Sequence, residues 1–183
     1  MSLSFMECVS GRRSVRKFKA DKIPEEIFRK IISAASFAPS WKNSQTVRYI
    51  IIENEALKNE LAETCVSDFK LNHDNIISTP ALVLITTVSK RCGYEKDGSF
   101  STTKGTHWES FDAGIAAQTL CLAAHAEGLG TVIMGIFDED KIIKTAKIPD
   151  TQKLSALVAI GYPDETPPMP KRKGVEELME FRR

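Results

Sequence analysis

The sequence predicts an α+β or α/β domain in which helices flank a sheet of four or five strands. Four β-branched and aliphatic runs have the composition of strands: 47–52, 80–88, 131–135 and 154–161. Four other segments repeat apolar residues at helical spacing: 23–38, 55–66, 107–127 and 138–147. The two kinds of segment alternate along 183 residues, a length that fits a single domain with its own core.

The composition is that of an ordinary folded protein, with 42% hydrophobic and 27% charged residues. Lys and Arg number 25 against 24 Asp and Glu, and this balance excludes general binding to nucleic acid or to a membrane surface. The four cysteines are scattered without a C-x-x-C pair, which argues against the usual zinc spacing and against a disulfide framework. We recognise no signal peptide and therefore expect a cytoplasmic protein in a reducing compartment.

Two helices are expected before the first strand. Ser4 can cap a short helix that runs to Val9, and Gly11 then ends it in the manner of a C-terminal glycine. A second helix opens at Pro24, with acidic residues in its first turn where the helix dipole favours them. Its apolar spacing continues to about Ala38.

The segment 12–18, called the cationic segment below, concentrates positive charge between these helices. On an extended backbone Arg12, Ser14 and Arg16 share one side, because side chains alternate along a strand. A guanidinium group beside a hydroxyl suits the oxygens of a phosphate, since Arg can bind two of them at once. The alternative interpretation is a solvated basic surface with no ligand.

The middle of the chain contains three segments of irregular composition. The polar loop 39–45 precedes the first strand, and a polar connector holding His73 leads to the strand at 80–88. That strand is apolar enough to be buried on both faces. Segment 89–106 is rich in Gly, Ser and Thr, and a lid, a binding loop and a disordered stretch all fit its composition.

The segment 107–127 is the longest expected helix. Polar residues and glycines interrupt the apolar stretch 113–134, which is therefore too polar to cross a membrane. Apolar residues occupy most of the helix circumference, so we expect it to be buried nearly all round. In a domain of this size, such burial suggests that a second subunit covers one face of the helix.

The tail, residues 163–183, begins with four of the eight prolines of the chain. Residues 163–170 can form neither a helix nor an inner strand and must run extended over a surface. They are followed by Lys171, Arg172 and Lys173. If this second cationic cluster faced the same ligand as the cationic segment, the two together would suit a phosphate dianion.

Common catalytic and nucleotide-binding motifs do not occur in the sequence. The glycines at 128–135 follow a helix and have the wrong spacing for a dinucleotide-binding turn. No phosphate-binding P-loop, zinc-protease motif or nucleophile elbow is found. The three histidines, His73, His107 and His125, show no ligand spacing. We therefore predict neither a metal site nor a catalytic nucleophile.

Five motifs resemble, in the same order, those of the FMN-dependent nitroreductase family. Residues 12–18, read as R-R-S-V-R-K-F, are similar to its R-R-S-x-R-x-F signature, and 38–45 resembles its A-P-S-x-x-N-x-Q loop. Residues 112–118, followed by 128–131, match its central helix and glycine turn. Residues 161–163 and 170–173 match its C-terminal end. The resemblance covers the whole chain.

The resemblance implies one nitroreductase-like domain over residues 1–183, with an α+β fold of three layers. Its sheet would be mixed and mostly antiparallel, with four to five strands flanked by helices, and a strand from a second subunit would complete it. The tail, 163–183, would be an extended arm that lies on the partner subunit. The protein would be a homodimer with FMN at the subunit interface.

The resemblance also implies a cofactor site. Arg12 and Ser14 would hold the phosphate and ribityl chain of FMN, together with Lys171 and Lys173. Arg16 would lie near the pyrimidine edge of the flavin, where a cation favours the anionic reduced ring. Loop 39–45 would come from the other subunit. The expected cofactor-binding residues are Arg12, Arg13, Ser14, Arg16, Pro39, Ser40, Trp41, Asn43, Gln45, Ile133, Met134, Gly135, Lys171 and Lys173.

The activity implied by the resemblance is that of an FMN-dependent oxidoreductase. It would pass hydride from NAD(P)H, as co-substrate, to a small electron-poor acceptor such as a nitroaromatic or a quinone, by a ping-pong mechanism. Catalysis would depend on positioning and electrostatics and on no catalytic side chain. The alternatives are other flavin chemistry of the same fold, namely dehalogenation or flavin destruction, and a flavin-binding protein without turnover.

Three parts of the chain depart from the family pattern. Gln45 is followed by Thr46 and Val47, where many members have Pro and Trp. Trp41 stands where a small residue is common, and both flavin contact and plain dimer packing are open for it. Lys171 and Lys173 stand where Arg is frequent, which replaces a planar fork with a point charge.

Overall fold

The computed structural model describes residues 3–66 and 69–183, and in these residues it contains seven α-helices and four strands. In chain order the elements are α1 (Phe5–Gly11), α2 (Glu25–Ala35), β1 (Val47–Ile52), α3 (Glu55–Cys65), α4 (Lys70–Ser78), β2 (Ala81–Val88), α5 (His107–Ala126), β3 (Gly130–Met134), α6 (Glu139–Thr145), β4 (Gln152–Gly161) and α7 (Val175–Leu178). All four expected strands are present.

The sheet has the order β1-β2-β4-β3, and each neighbouring pair of strands is antiparallel. The parallel component is a single bridge between Ser14 and Thr131, the only parallel pairing found in the described part of the chain. The prediction of an α+β fold with a mostly antiparallel sheet of four to five strands is confirmed.

A separate hydrophobic core lies on each face of the sheet. Leu82 and Leu84 of β2 pack with α3, α4 and α6, whereas Val83 and Ile85 pack with α2 and α5. Neighbouring residues of β2 therefore enter opposite cores, as the alternation of a strand requires. This confirms both the three layers and the burial of β2 on two faces.

Helix α1 begins as expected, but Gly11 does not end it in the expected way. Ser4 and Glu7 form a capping box in which each side chain accepts a hydrogen bond from the backbone of the other residue. Gly11 is the last helical residue and has no left-handed φ, so the prediction of a C-terminal glycine cap is wrong. Glycine is favoured at this position because it leaves room for His125: a Cβ there would lie 3.0 Å from Nε2 of His125.

The segment expected to be a polar connector is largely a helix, α4, and that prediction is wrong. Residues 67 and 68 of the segment lie outside the described residues. The inward face of α4 carries Asn72 and Asn75, which are both buried. Their side chains donate to the carbonyl oxygen of Ile136 at 2.8 Å and to the Sδ atom of Met134 at 3.9 Å. Hydrophobic periodicity cannot detect a helix whose buried face is amide-rich.

Helix α5 is the longest helix in the described residues and leaves one stripe exposed in the single chain. Its 20 residues span about 30 Å at 1.5 Å per residue. Exposed residues recur at helical spacing along the stripe: His107, Phe111, Gly114 and Gln118. Phe111 is 57% exposed, and a Cβ at Gly114 would have no atom within 4 Å. Among residues 3–66 and 69–183 no helix is long and apolar enough to span a membrane.

The tail starts beside the cationic segment, and residues 163–170 form neither a helix nor an inner strand, as predicted. Phe18 and Pro163 form an antiparallel bridge, and the backbone N–H of Asp164 donates to the carbonyl of Lys17 at 2.9 Å. Beyond residue 170 the tail is exposed and contains the short helix α7, which the sequence interpretation did not include.

Candidate functional site

The cationic segment is extended and lies along β3. Val15 is buried, and its backbone N–H donates to the carbonyl of Thr131 at 3.0 Å. It packs so closely on β3 that a Cβ at Gly130 would lie 2.7 Å from Val15. Because side chains alternate, the burial of Val15 leaves Ser14 and Arg16 on the opposite side of the backbone, as predicted.

The three guanidinium groups of this segment differ in their partners. Nη1 of Arg13 donates to the carbonyls of Ser10 at 2.6 Å and Arg12 at 2.8 Å, and Nη1 of Arg16 donates to the carbonyl of Ser14 at 3.3 Å. In the described residues no carboxylate lies within 4.0 Å of any of the three groups, and the Arg12 side chain has no hydrogen-bond partner there. The segment therefore presents three guanidinium groups that form no ion pair within the described residues.

The positive charge of Arg12 affects the pKa of His125, near the C-terminal end of α5. Burial lowers the pKa of His125, and the positive charges of Arg12 and Arg13 lower it further. Burial also raises the pKa of the Cys121 thiol, one turn earlier on the helix, while Arg12 acts in the opposite sense. This end of α5 therefore lies within the electrostatic field of the cationic segment.

Glu165 of the tail is a residue that the sequence interpretation missed. Its carboxylate accepts hydrogen bonds from the backbone N–H groups of Arg16 at 2.6 Å and Lys17 at 3.2 Å. No spacing or motif signals a contact between residues so far apart in the chain.

The cofactor-binding residues expected at 133–135 lie at the C-terminal end of β3, the strand on which the cationic segment packs. Ile133 is 47% exposed, Met134 is buried, and Gly135 is exposed with no atom near a built Cβ. The carbonyl of Thr131 points away from β4, toward the cationic segment. By the alternation of an antiparallel ladder, the backbone groups of Ile133 point to that same open edge. Within residues 3–66 and 69–183, neither group makes a hydrogen bond outside the sheet.

Loop 39–45 has an unusual backbone. Lys42, Asn43 and Gln45 have φ values of 46°, 53° and 48°, in the left-handed region that glycine prefers. The loop is closed by its own polar groups, because the Gln45 N–H donates to Oγ of Ser40 at 3.0 Å and Nε2 of Gln45 donates to Oδ1 of Asn43 at 3.2 Å.

Trp41 packs on aromatic residues of its own chain. Its ring centroid lies 4.6 Å from that of Trp108, which in turn contacts Phe111 edge-on at 5.5 Å. The backbone N–H of Trp41 donates to both oxygens of Asp112, at 2.9 and 3.1 Å. The Cys92 thiol donates to the same carboxylate at 3.0 Å, and burial, followed by Asp112, raises the pKa of that thiol to about 12.

The structure does not bring all expected site residues together within one chain. Loop 39–45 contacts Asp112 near the start of α5, whereas Gly11 and Arg12 lie near His125, 13 residues further along. That separation is about 20 Å along a helix. Lys171 and Lys173 are exposed in the tail, and in residues 3–66 and 69–183 neither makes a hydrogen bond or ion pair with the cationic segment.

A groove on the α2 and α5 side of the sheet begins at loop 39–45. It has a volume of about 700 Å³ and a largely apolar lining that includes Phe28, Ile32, Tyr49 and Ala116. Burial raises the pKa of Tyr49 to about 12. Over the described ranges, no group of three or more His, Cys, Asp or Glu side chains could hold a metal ion.

Comparison with known proteins shows similarity to one family across most of the chain. The model of the nitroreductase family matches residues 9–75 and 68–162. An NADH dehydrogenase from Thermus thermophilus is 27% identical over 84% of each chain. An iodotyrosine deiodinase from Thermotoga neapolitana is 27% identical over 93% of each chain. The structure of the NADPH:FMN oxidoreductase from Vibrio harveyi complexed with NAD+ superposes with a TM-score of 0.80 at 24% identity, covering 97% of this chain and 76% of that one.

Proposed function

The chain belongs to the nitroreductase family, and on that basis we propose that it is an FMN-dependent oxidoreductase that uses NAD(P)H. The observation that carries the proposal is the cationic segment beside the open edge of β3. Arg12 and Arg16 have no carboxylate partner within the described residues, and Ser14 lies between them. Such a set suits a phosphate dianion and its attached chain. The residues present therefore fit FMN.

Each residue would have a definite task. Arg12 and Ser14 would hold the phosphate and ribityl chain, with Lys171 and Lys173 of the tail adding charge. Arg16 would stabilise negative charge at the pyrimidine edge of the ring, and the backbone at Ile133 would bond the ring from the open edge of β3. When bound, FMN would supply the redox chemistry for hydride transfer from NAD(P)H to the acceptor. No side chain of the site need act as a nucleophile.

The geometry of α5 supports a homodimer with shared sites. Loop 39–45 and the cationic segment lie near opposite ends of α5, too far apart to hold one ligand from the same chain. Two copies that pack their α5 helices antiparallel through the exposed stripe would place each loop beside the partner's cationic segment, twice by symmetry. The tail of the domain, residues 163–183, would then lie on the other subunit, and the apolar groove would be covered.

The acceptor would be small and electron-poor, such as a nitroaromatic or a quinone. NAD(P)H and the acceptor would occupy the same place in turn, which gives ping-pong kinetics. The aromatic residues Trp41, Trp108 and Phe111 would limit access of water and favour flat molecules. A shared position requires that each substrate leave before the other binds.

The first experiment is FMN binding followed by turnover. The purified protein should be yellow or become yellow with added FMN, and it should release FMN on denaturation. The loaded protein should oxidise NADH or NADPH when a nitroaromatic or quinone is present, with parallel lines in double-reciprocal plots. A colourless protein that takes up no FMN would refute the proposal, and FMN binding without turnover would indicate a non-catalytic flavin protein.

Shared sites can be tested by mixing two defective variants. Arg12→Ala damages the cationic segment, and Asn43→Ala damages loop 39–45. In a mixed dimer with shared sites, one site carries both defects and the other carries neither, so mixing the variants should restore part of the FMN binding. If each chain forms its site alone, both sites of the mixed dimer stay defective and nothing is restored.

A second candidate activity is reductive dehalogenation, because one relative is named as an iodotyrosine deiodinase. The acceptor screen should therefore include a halogenated tyrosine beside the nitroaromatic and quinone. Halide release coupled to NAD(P)H oxidation, at a higher kcat/KM than for the other acceptors, would favour this activity. If no halide is released, or if kcat/KM for the halogenated tyrosine is no higher than for the other acceptors, the result would favour reduction of nitroaromatics or quinones.

A further inference from the structure

Asp112 connects three parts of the chain through one buried carboxylate. The side chain comes from α5 and is only 2% exposed. Its oxygens accept the backbone N–H of Trp41, at 2.9 and 3.1 Å, and the thiol of Cys92 at 3.0 Å. A buried carboxylate needs such donors, because removal from water strongly disfavours an unpaired charge. Loop 39–45 and segment 89–106 are thus both bonded to the central helix at one point.

The loop held by Asp112 is strained. Lys42, Asn43 and Gln45, three of four successive residues, adopt left-handed φ angles without being glycine. Such conformations persist only where surrounding contacts enforce them, and they concentrate at ligand sites. The bond from Asp112 acts on the residue directly before this strained run. It holds the loop from inside the fold, together with the stacking of Trp41 on Trp108 and the exposed ion pair of Lys42 with Glu95 at 3.3 Å.

We infer that Asp112 is a positioning residue for the cofactor, acting through the backbone of Trp41 on loop 39–45. The inference rests on the proposed function, in which this loop contacts FMN. Asp112 does not contact the cofactor itself. It keeps the loop in the strained conformation that presents Ser40 and Asn43, so its loss should weaken FMN binding more than it weakens the fold.

Glu109 provides a matched control on the same face of α5, almost one turn earlier. It is also a buried carboxylate, 3% exposed, and it accepts the backbone N–H of Lys90 at 2.9 Å and Nζ of Lys153 at 2.8 Å. It bonds segment 89–106 to the helix as Asp112 does, but it has no hydrogen bond to loop 39–45. The two carboxylates therefore separate stabilisation of the fold from positioning of the loop.

The test compares Asp112→Asn with Glu109→Gln. Each change keeps the size of the side chain and removes its charge, and Tm should fall in both. The dissociation constant of FMN, measured by flavin fluorescence, should rise on the order of tenfold in Asp112→Asn, because the bond from the Trp41 N–H loses its charged acceptor and one of its two acceptor oxygens. It should stay within about twofold of wild type in Glu109→Gln, where only the fold is affected.

Two further variants keep the inference falsifiable. Cys92→Ala removes the other donor to Asp112 and should leave FMN affinity within about twofold of wild type, since the bond to Trp41 remains. If Asp112→Asn does not fold, the comparison is made with Asp112→Ser, whose shorter side chain cannot make the same bond. Equal loss of FMN affinity in the Asp112 and Glu109 variants, or in Cys92→Ala, would overturn the inference. A wild-type protein that binds no FMN would instead refute the proposed function.

Discussion

The carboxylate of Glu165 accepts a hydrogen bond from the backbone N–H of Arg16 at 2.6 Å, and it thereby joins the start of the tail to the cationic segment. The same oxygen accepts the N–H of Lys17 at 3.2 Å. Two consecutive backbone donors are thus satisfied by one side chain from the far end of the sequence. Without it, both would need water.

We expect Glu165→Ala to destabilise the fold by about 1–2 kcal/mol, since two backbone donors lose a charged acceptor. The tail beyond residue 165 should also be cleaved faster by a protease, because its attachment to the cationic segment is lost. Denaturant unfolding and limited proteolysis measure the two effects. Glu165→Gln keeps an acceptor oxygen and should lose less, and an equal loss in both variants would contradict this account.

Gly130 should not tolerate a side chain, because a Cβ would lie 2.7 Å from Val15. Gly130→Ala should cost about 1–3 kcal/mol through overpacking and should also lower FMN affinity by displacing the cationic segment from β3. In a Val15→Ala background the same change should cost less free energy of unfolding, because both methyl groups of Val15 are gone. A double-mutant cycle of unfolding energies measures the coupling, and additive costs would disprove the contact.

Gly114 allows a test of the subunit interface with little risk to the fold. A Cβ there has no atom within 4 Å in the single chain, and replacing a helical glycine should favour α5 by up to about 1 kcal/mol. If two copies pack through the stripe, Gly114→Glu should give a monomer in light scattering with poor FMN binding. Lys144→Glu, on α6 and across the sheet, is the control and should remain a dimer. A dimeric Gly114→Glu variant would refute this interface.

His125 should report ligand binding at Arg12 through its own titration. Burial, then Arg12 and Arg13, lower its pKa, so the folded protein binds this proton more weakly than the unfolded chain does. The contribution of this pKa shift to the free energy of unfolding is therefore fully present above the unfolded pKa of about 6.5. It is lost as pH falls through the folded pKa.

We expect the pKa of His125 to rise in Arg12→Ala, and to rise in the wild type when FMN binds, because the phosphate offsets the arginine charge. NMR titration of the histidine ring measures both shifts. His73 is the internal control: hydrogen bonds to Asp74 and then Glu63 raise its pKa, with the opposite dependence of stability on pH, and neither change should move it. An unmoved His125 would argue against a phosphate beside Arg12.

Elements with regular local patterns could be predicted from the sequence. β2 is apolar from Ala81 to Ile85, where its side chains enter the two cores, and Ser4 stands at the position of a helix N-cap. Helix α4 could not be predicted, because two of its three buried positions are Asn72 and Asn75, whose amides find partners only in the folded chain. Hydrophobic spacing carries no signal for such a helix.

The candidate site also has parts that could be predicted from the sequence and parts that could not. Cationic residues at alternate positions could be recognised in the sequence, and the extended backbone places Ser14 and Arg16 as expected. The contacts of Asp112 with Trp41 and of Glu165 with Arg16 join residues far apart in the chain, and no motif encodes them. The left-handed backbone at Lys42 could not be predicted from the sequence either, because glycine, the usual marker of that conformation, is absent there.

Segment 89–106 has its two ends held together by the scaffold. The backbone N–H of Ser89 donates to Thr151 at 2.8 Å, and that of Lys90 donates to Glu109 near the start of α5. A loop with fixed ends can change length cheaply, at about 0.6 kcal/mol for each doubling. Between these ends, stretches of different length and composition could be exchanged without rebuilding the sheet. The segment is therefore the part of the chain between β2 and α5 that can be varied most with least effect on the sheet.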